Sequence, residues 1–189
     1  MFKFIRIAFL ALKRGLTGQV LKRVDIETLG GAAKISLRLK RNRSSQDQYV
    51  VLAGLSSGSS QYFLFEIDEF DRFIEAAKDL RASAQFPLTA STQVSLGWWK
   101  SVSMVMTGDE VQRIDTGTLG GYCTLSLRLK RHKGSGRDYV VLAGIAPGSY
   151  HYFGFDMDQF DRFIEAAKDI RAAVRSSSFD PSVSPRTQT

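Results

Sequence analysis

Two clusters of cations, each followed by a tyrosine, are the residues of this chain whose types and spacing could do chemistry. Arg38, Lys40, Arg41 and Arg43 form the first cluster, and Arg128, Lys130, Arg131 and Lys133 the second. Tyr62 and Tyr152 are placed to share a surface with them. The i, i+2 spacing of Arg38 with Lys40, and of Arg128 with Lys130, puts each pair on one face of an extended strand, with the remaining cations on the loop that leaves it. Cations in such a row neutralise phosphates, and flat side chains beside them stack unpaired bases for roughly 1–3 kcal/mol each. The plain alternatives are a solvated charged surface and half-buried rings with wet hydroxyls.

Other chemistry finds little footing. The two histidines, His132 and His151, lack a partner at the spacing of a metal ligand or a general base. The single cysteine, Cys123, excludes an internal disulfide and a Cys-based zinc site, and reads as a small core residue. Gly30-Gly31 and Gly120-Gly121 lack the strand, loop and helix setting of a nucleotide fold, and no Gly-rich loop ends in Lys-Ser or Lys-Thr. The expectation is a protein that is not an enzyme, with no cofactor, no metal and no small-molecule substrate.

The elements that must position these residues are written twice. "RVDIETLGGAAKISLRLKR" from Arg23 returns as "RIDTGTLGGYCTLSLRLKR" from Arg113; "YVVLAG" from Tyr49 returns at Tyr139; "FDRFIEAAKD" from Phe70 returns at Phe160, all without a gap. Such a repeat is one supersecondary unit used twice. Each copy reads as four strands and a helix. Leu21–Thr28 alternates Val24 and Ile26 against Arg23, Asp25 and Glu27; the second strand turns Ile35, Leu37 and Leu39 inward and Ser36, Arg38 and Lys40 outward. Tyr49–Gly54 is a short apolar run, and Gln61–Ile67 offers Phe63, Phe65 and Ile67 to the core. The helices are expected to begin at Asp68 and Asp158 as N-caps, with apolar stripes Phe70, Phe73, Ile74, Ala77, Leu80 and Phe160, Phe163, Ile164, Ala167, Ile170. A copy of this size has only a marginal core, so the two are expected to pack together.

The organisation expected is a basic amphipathic segment at residues 1–16, repeat I at 17–84, a linker and lead-in at 85–106, repeat II at 107–174 and a disordered Ser/Pro/Thr-rich tail at 175–189. Over 189 residues the formal net charge is +7, and the first 43 residues hold only Asp25 and Glu27 as acids. Residues 1–16 read as a structural lead-in, a cleaved targeting presequence or a membrane-surface helix. No apolar run is long enough to span a bilayer.

The ββββα pattern repeated twice, with "KRVDI" at Lys22–Ile26 and Phe70-Asp71-Arg72-Phe73 on the helix, resembles the PUR repeat of the purine-rich-element-binding proteins, whose general architecture the Whirly proteins share. That resemblance covers both copies. It implies an α+β fold of two interlocked repeats, an intramolecular pseudo-dimer in which each helix crosses onto the partner repeat. It also implies sheets that bind single-stranded DNA or RNA, often purine-rich. Carried over by position, it supports Lys22 and Arg23 on the first strand and Arg38, Lys40 and Arg41 on the second, with Arg113 as the second-copy counterpart of Arg23. The second copy departs at Gln112, where the first has Lys22, and its strand is expected to break at Thr116-Gly117; its sheet either binds more weakly or serves to complete the fold. Gln61-Tyr62-Phe63 departs from the family's fourth strand and leaves base preference open.

The function expected is therefore single-stranded nucleic-acid binding through the basic sheet face, in transcription or RNA regulation. The alternative is a non-enzymatic protein-interaction or membrane-surface scaffold. An intracellular setting is expected, cytoplasmic, nuclear or nucleoid, or mitochondrial if the amino terminus is a presequence. Association of two such units into a homodimer is open.

Overall fold

The computed structural model describes residues 17–31, 33–56, 59–84, 107–118, 123–146 and 149–177. The expectations for residues 1–16, for 85–106 and for the tail beyond 177 lie outside them. Repeat I runs β1 (Gln19–Glu27), β2 (Ala33–Arg41), β3 (Gln48–Ser56), β4 (Ser59–Phe65) and α1 (Ile67–Ser83); repeat II runs β5 (Asp109–Thr118), β6 (Cys123–Arg131), β7 (Asp138–Ala146), β8 (Ser149–Phe155) and α2 (Met157–Ser177). Each set of four strands is an antiparallel meander, in the orders β1-β2-β3-β4 and β5-β6-β7-β8. Period-two alternation explains the core face of the first sheet, where Ile35, Leu37, Leu39, Val50, Leu52, Phe63 and Phe65 are all buried. The opposite face carries its own small cluster of Tyr49, Val51 and Leu64, with Tyr62 packed against it. That is why β3 reads as a continuous apolar run.

The helices are exchanged. α1 packs on β5 and β6 of the second sheet, α2 packs on β1 and β2 of the first, and the helices touch each other. Phe73 meets Phe163 edge to face at 5.9 Å between ring centroids, a favoured geometry for aromatic pairs. Two reciprocal ion pairs flank this contact: Arg81 donates to Asp161 at 2.6 and 2.9 Å, and Arg171 pairs with Asp71. Buried residues from both repeats form one cluster. The protein is thus an α+β fold of two interlocked ββββα repeats.

The sheets also lock directly. A Cβ at Gly54 on β3 would overlap the Phe153 ring of β8, and one at Gly144 on β7 would overlap the Phe63 ring of β4. Each phenylalanine therefore occupies space that only glycine leaves open in the other repeat.

Several local expectations need correction. The helix caps are not Asp68 and Asp158. β4 ends at Phe65, so Ile67 is the first helical residue, and Glu66 caps α1 in a reciprocal capping box in which its amide donates to Glu69 Oε2 at 3.0 Å. In α2, Asp156 Oδ1 accepts from the Gln159 amide at 2.7 Å and Gln159 Oε1 accepts from the Asp156 amide at 3.1 Å. Asp68 and Asp158 instead sit in the first helical turn, where a carboxylate favours the positive end of the dipole. β5 does not break at Thr116-Gly117: both stay paired with β6, and Thr116 Oγ1 donates to the Leu125 carbonyl at 3.2 Å. An edge strand tolerates the glycine because only one side needs a partner. α2 continues to Ser177, past the expected repeat boundary at 174. Glu69 is 7% exposed, so Glu69→Ala is expected to cost about 0.5–2 kcal/mol by loss of the cap, read as a lower urea midpoint at unchanged slope.

Candidate nucleic-acid interface

The face of each sheet turned away from the common core carries Arg23, Arg38 and Lys40 in the first repeat and Arg113, Arg128 and Lys130 in the second. Ladder register places Arg23 directly opposite Arg38, and Arg113 directly opposite Arg128. Like charges facing each other across a strand pair are unfavourable, and in both sheets the neighbouring residue pair offsets the repulsion. Arg23 Nε donates to Asp25 at 2.8 Å and Arg38 Nε donates to Ser36 Oγ at 3.0 Å; Arg113 and Asp115 pair at 2.9 Å, and Arg128 donates to Ser126 at 3.2 Å. The Arg23 hydrogen bond is the main cause holding the Asp25 carboxyl below its ordinary pKa, with Ser36 and Arg38 adding to it against some desolvation; Arg113 does the same for Asp115. A depressed carboxyl pKa contributes stability above the unfolded-state value that is lost as pH falls through the folded one. At neutral pH both aspartates are therefore ionised internal counterions. An incoming phosphate would compete with them for the arginines.

Lys40 and Lys130 are not the open contacts the alternation suggests. They are 3% and 8% exposed, opposite Tyr49 and Tyr139 in the ladder. Desolvation lowers the pKa of both ammonium groups, with Arg38 lowering Lys40 further. Lys22 is placed differently again. A bulge between Val20 and Lys22 inserts one residue into β1, so Lys22 pairs with Leu39 on the core side, and its Nζ donates to the Asp169 carbonyl of α2 at 3.2 Å. Lys22 thus ties the exchanged helix to the first sheet, while Arg23 keeps the outer face.

The remaining candidates spread along the rim. Arg41 is half-buried at the end of β2 and Arg43 is exposed on the turn beyond it. Arg131 makes two hydrogen bonds to Asp138, at 2.8 and 3.2 Å, and Lys133 pairs with Asp109 at 3.2 Å. Arg128 also lies 3.8 Å from Glu110. Tyr62 is half-buried over the small outer cluster, whereas Tyr152 is 39% exposed. Glu110, opposite Lys130 on the outer face, and Asp109 and Asp138, on either side of Arg131 at the strand ends, are acids that reading cations alone misses. Their signal was the comparison of copies, where the first repeat has Gln19, Val20 and Gln48.

The other groups with chemical potential are held in structural roles. His132 Nδ1 accepts from the Ser135 amide at 3.1 Å within the β6–β7 turn. Burial pushes the Cys123 thiol pKa up, which disfavours the thiolate. Among the described residues no group of His, Cys, Asp and Glu could hold a metal ion, and no helix is long and apolar enough to cross a membrane. An open groove of about 480 Å3 is lined by Gln46, Asp47, Gln48, Glu66, Ile67, Asp68 and Val174. Its carboxylates have the wrong sign for phosphate.

No protein-family model matches the chain, and no curated protein matches it. Among solved structures it is similar to the plant transcriptional regulator PBF-2, with 14% identity, a TM-score of 0.39, and coverage of 89% of this chain and 92% of that one. It is also similar to WHY1 from Arabidopsis thaliana, with 11% identity, a TM-score of 0.40, and coverage of 88% and 98%.

Proposed function

We propose that this protein binds single-stranded nucleic acid, DNA or RNA, across the outer faces of its two sheets. The observation that carries this reading is the facing arginine pair, Arg23 with Arg38 and Arg113 with Arg128, repeated in both sheets. A surface that holds guanidiniums directly opposite one another gains most from a polyanion that can bridge them. Tyr62 and Tyr152 belong to the same faces two strands away from β2 and β6, a separation of about 10 Å. A strand crossing the sheet would set phosphates over β1–β2 or β5–β6 and a base against the ring.

Duplex reading is disfavoured by the helices. The exposed positions of α1 include Asp68, Arg72, Glu75 and Asp79, a mixed and mainly acidic surface, and the apolar stripes are committed to the core. Neither helix offers a basic face for a major groove. A role in transcription or RNA regulation fits this reading.

Titrating labelled single-stranded and duplex oligonucleotides tests it. Single strands should bind at low salt and weaken steeply as salt rises, with a slope near −0.7 per phosphate contacted. The double variant Arg23→Gln/Arg38→Gln should lose roughly tenfold or more in affinity across sequences, with a shallower salt slope and a native circular dichroism spectrum. Absence of binding to both DNA and RNA at low salt would sink the reading.

A further inference from the structure

We infer that the small apolar cluster on the outer face of the first sheet is the seat of the chain's own amino-terminal segment: residues 1–16 dock on Tyr49, Val51 and Leu64 with their basic side turned outward. The segment lies outside the described residues, and the inference comes from the surface that receives it. It stands independently of the nucleic-acid reading.

The burial of that face requires cover. Ladder register sets Arg38, Val51 and Leu64 in one row across β2, β3 and β4, and Ser36, Ala53 and Tyr62 in the next. Towards β1 the face is open: the side chains of Arg23 and Asp25 are about half exposed, and Val20 is 48% exposed. Towards β4 it is closed. Val51 and Ala53 are fully buried and Leu64 is 2% exposed, although β4 is an edge strand with a neighbour on one side only. Among the described residues, the cluster has no member from a helix or from the second sheet. An apolar sheet face is stable only when another layer lies against it. The second sheet makes the point more sharply. There Gly154 stands opposite Val141 and has no side chain to shield it, yet Val141 is 1% exposed. Shielding from within the sheet is least available at that position, and the burial persists.

The occupant follows from where the described chain begins. The Tyr49 hydroxyl donates to the Thr17 carbonyl at 3.0 Å, which fixes the start of repeat I on a member of the outer cluster. Gly18, at φ 92°, passes so close that a Cβ there would overlap the same hydroxyl; positive φ and close approach both call for glycine. The chain therefore enters β1 from over the outer face. Val51 and Leu64 lie within about 10 Å of Tyr49, two residues along β3 and one strand across. Sixteen residues span that distance even as a helix of about 24 Å. Their sequence suits the seat: on a helical period Phe4, Ile5, Ala8 and Leu12 fall on one side, and Lys3, Arg6, Lys13 and Arg14 on the other. The apolar side matches the cluster, and the cations stay in water. Of the three readings open for this segment, only a structural lead-in supplies the cover that Val51 and Leu64 have.

The test uses the full chain carrying Cys123→Ala, the residue that the first copy has at the equivalent Ala33. Tyr62→Cys, at the margin of the cluster, is combined in turn with Phe4→Cys, Ile5→Cys, Ala8→Cys and Leu12→Cys, and each protein is oxidised. At least one of the four pairs should close an intrachain disulfide, which needs Cα atoms within about 7 Å, whereas Arg6→Cys and Lys13→Cys should not. A disulfide joining two chains would give the cluster to a second copy, and no disulfide in any pair would place the segment elsewhere; either result overturns the inference. Thermal unfolding supplies a second measurement that spares the cluster itself. Ile5→Asp/Leu12→Asp should lower the midpoint by roughly 5 °C or more, and Arg6→Gln/Lys13→Gln by less than about 1 °C. Equal midpoints in these two variants overturn the docking as well. Neither measurement contains nucleic acid, so a failure to bind oligonucleotides is read separately from a failure of the segment to dock.

Discussion

Expressed without the second repeat, the first repeat is expected to give no folded monomer. α1 packs mainly against β5 and β6 of the second sheet, and less extensively against β3 and β4 of its own. A chain ending near residue 96 would strip Phe70, Phe73, Ile74, Ala77 and Leu80, all buried in the intact protein, of the cover that β5 and β6 give. Burying a large apolar side chain contributes about 1.5–3 kcal/mol, so losing much of the cover over these residues is comparable to the total stability of a typical domain, about 5–15 kcal/mol. The fragment then either unfolds or recovers the contact by exchanging α1 with a second copy of itself, which the similarity of the two repeats permits. Sedimentation and circular dichroism across a concentration series decide it: folding should appear only with dimer. A fragment that is monomeric, folded and cooperatively melting would refute the dependence of each helix on the other sheet.

Phe73→Ala is expected to be among the most destabilising single substitutions. Its ring is fully buried and lies 5.1 Å from Phe65, 6.4 Å from Phe70 and 5.9 Å from Phe163 between centroids. It therefore joins the first sheet to the contact between the two helices. Truncation of a buried phenylalanine costs about 3–5 kcal/mol, and in a chain of this size each kcal/mol lowers the midpoint by roughly 2–4 °C. Thermal unfolding should fall by roughly 10 °C or more, with Phe73→Leu recovering much of the loss because it refills most of the volume. The pair Phe73→Ala/Phe163→Ala should cost less than the sum of the singles, since each removes the other's partner. A fall no larger than that of an exposed change such as Arg72→Ala would show the ring contact to be incidental.

How far the sequence reaches depends on the range of the interaction. The strands and their facing were legible because period-two alternation is local and survives translation to the second copy, as at Ile35, Leu37, Leu39 and Leu125, Leu127, Leu129. Helix starts were misplaced because Phe65, Glu66 and Ile67 suit a strand end as well as a helix entry, and only the Glu66–Glu69 reciprocity decides between them. The bulge in β1 was hidden, since alternation carries no marker for an extra residue; its trace is that adjacent Lys22 and Arg23 cannot share a face. Lys40 looked exposed by parity. It is buried opposite Tyr49, on an outer face that has a cluster of its own, where Tyr49, Val51 and Leu64 occupy positions that a two-layer reading leaves to solvent. The acids of the second sheet were in plain view as differences between copies, but their meaning needed the register that sets Glu110 against Lys130 and Asp138 against Arg131.

The reciprocal seating of Phe153 over Gly54 and Phe63 over Gly144 also works as a ruler. Tilting one sheet against the other would require both rings to withdraw at once from the space the two glycines leave. Hinge motion between the sheets is therefore suppressed, and the two outer faces keep a fixed spacing and bearing. On the proposed reading, a single strand long enough to visit both faces would do most of the bending itself.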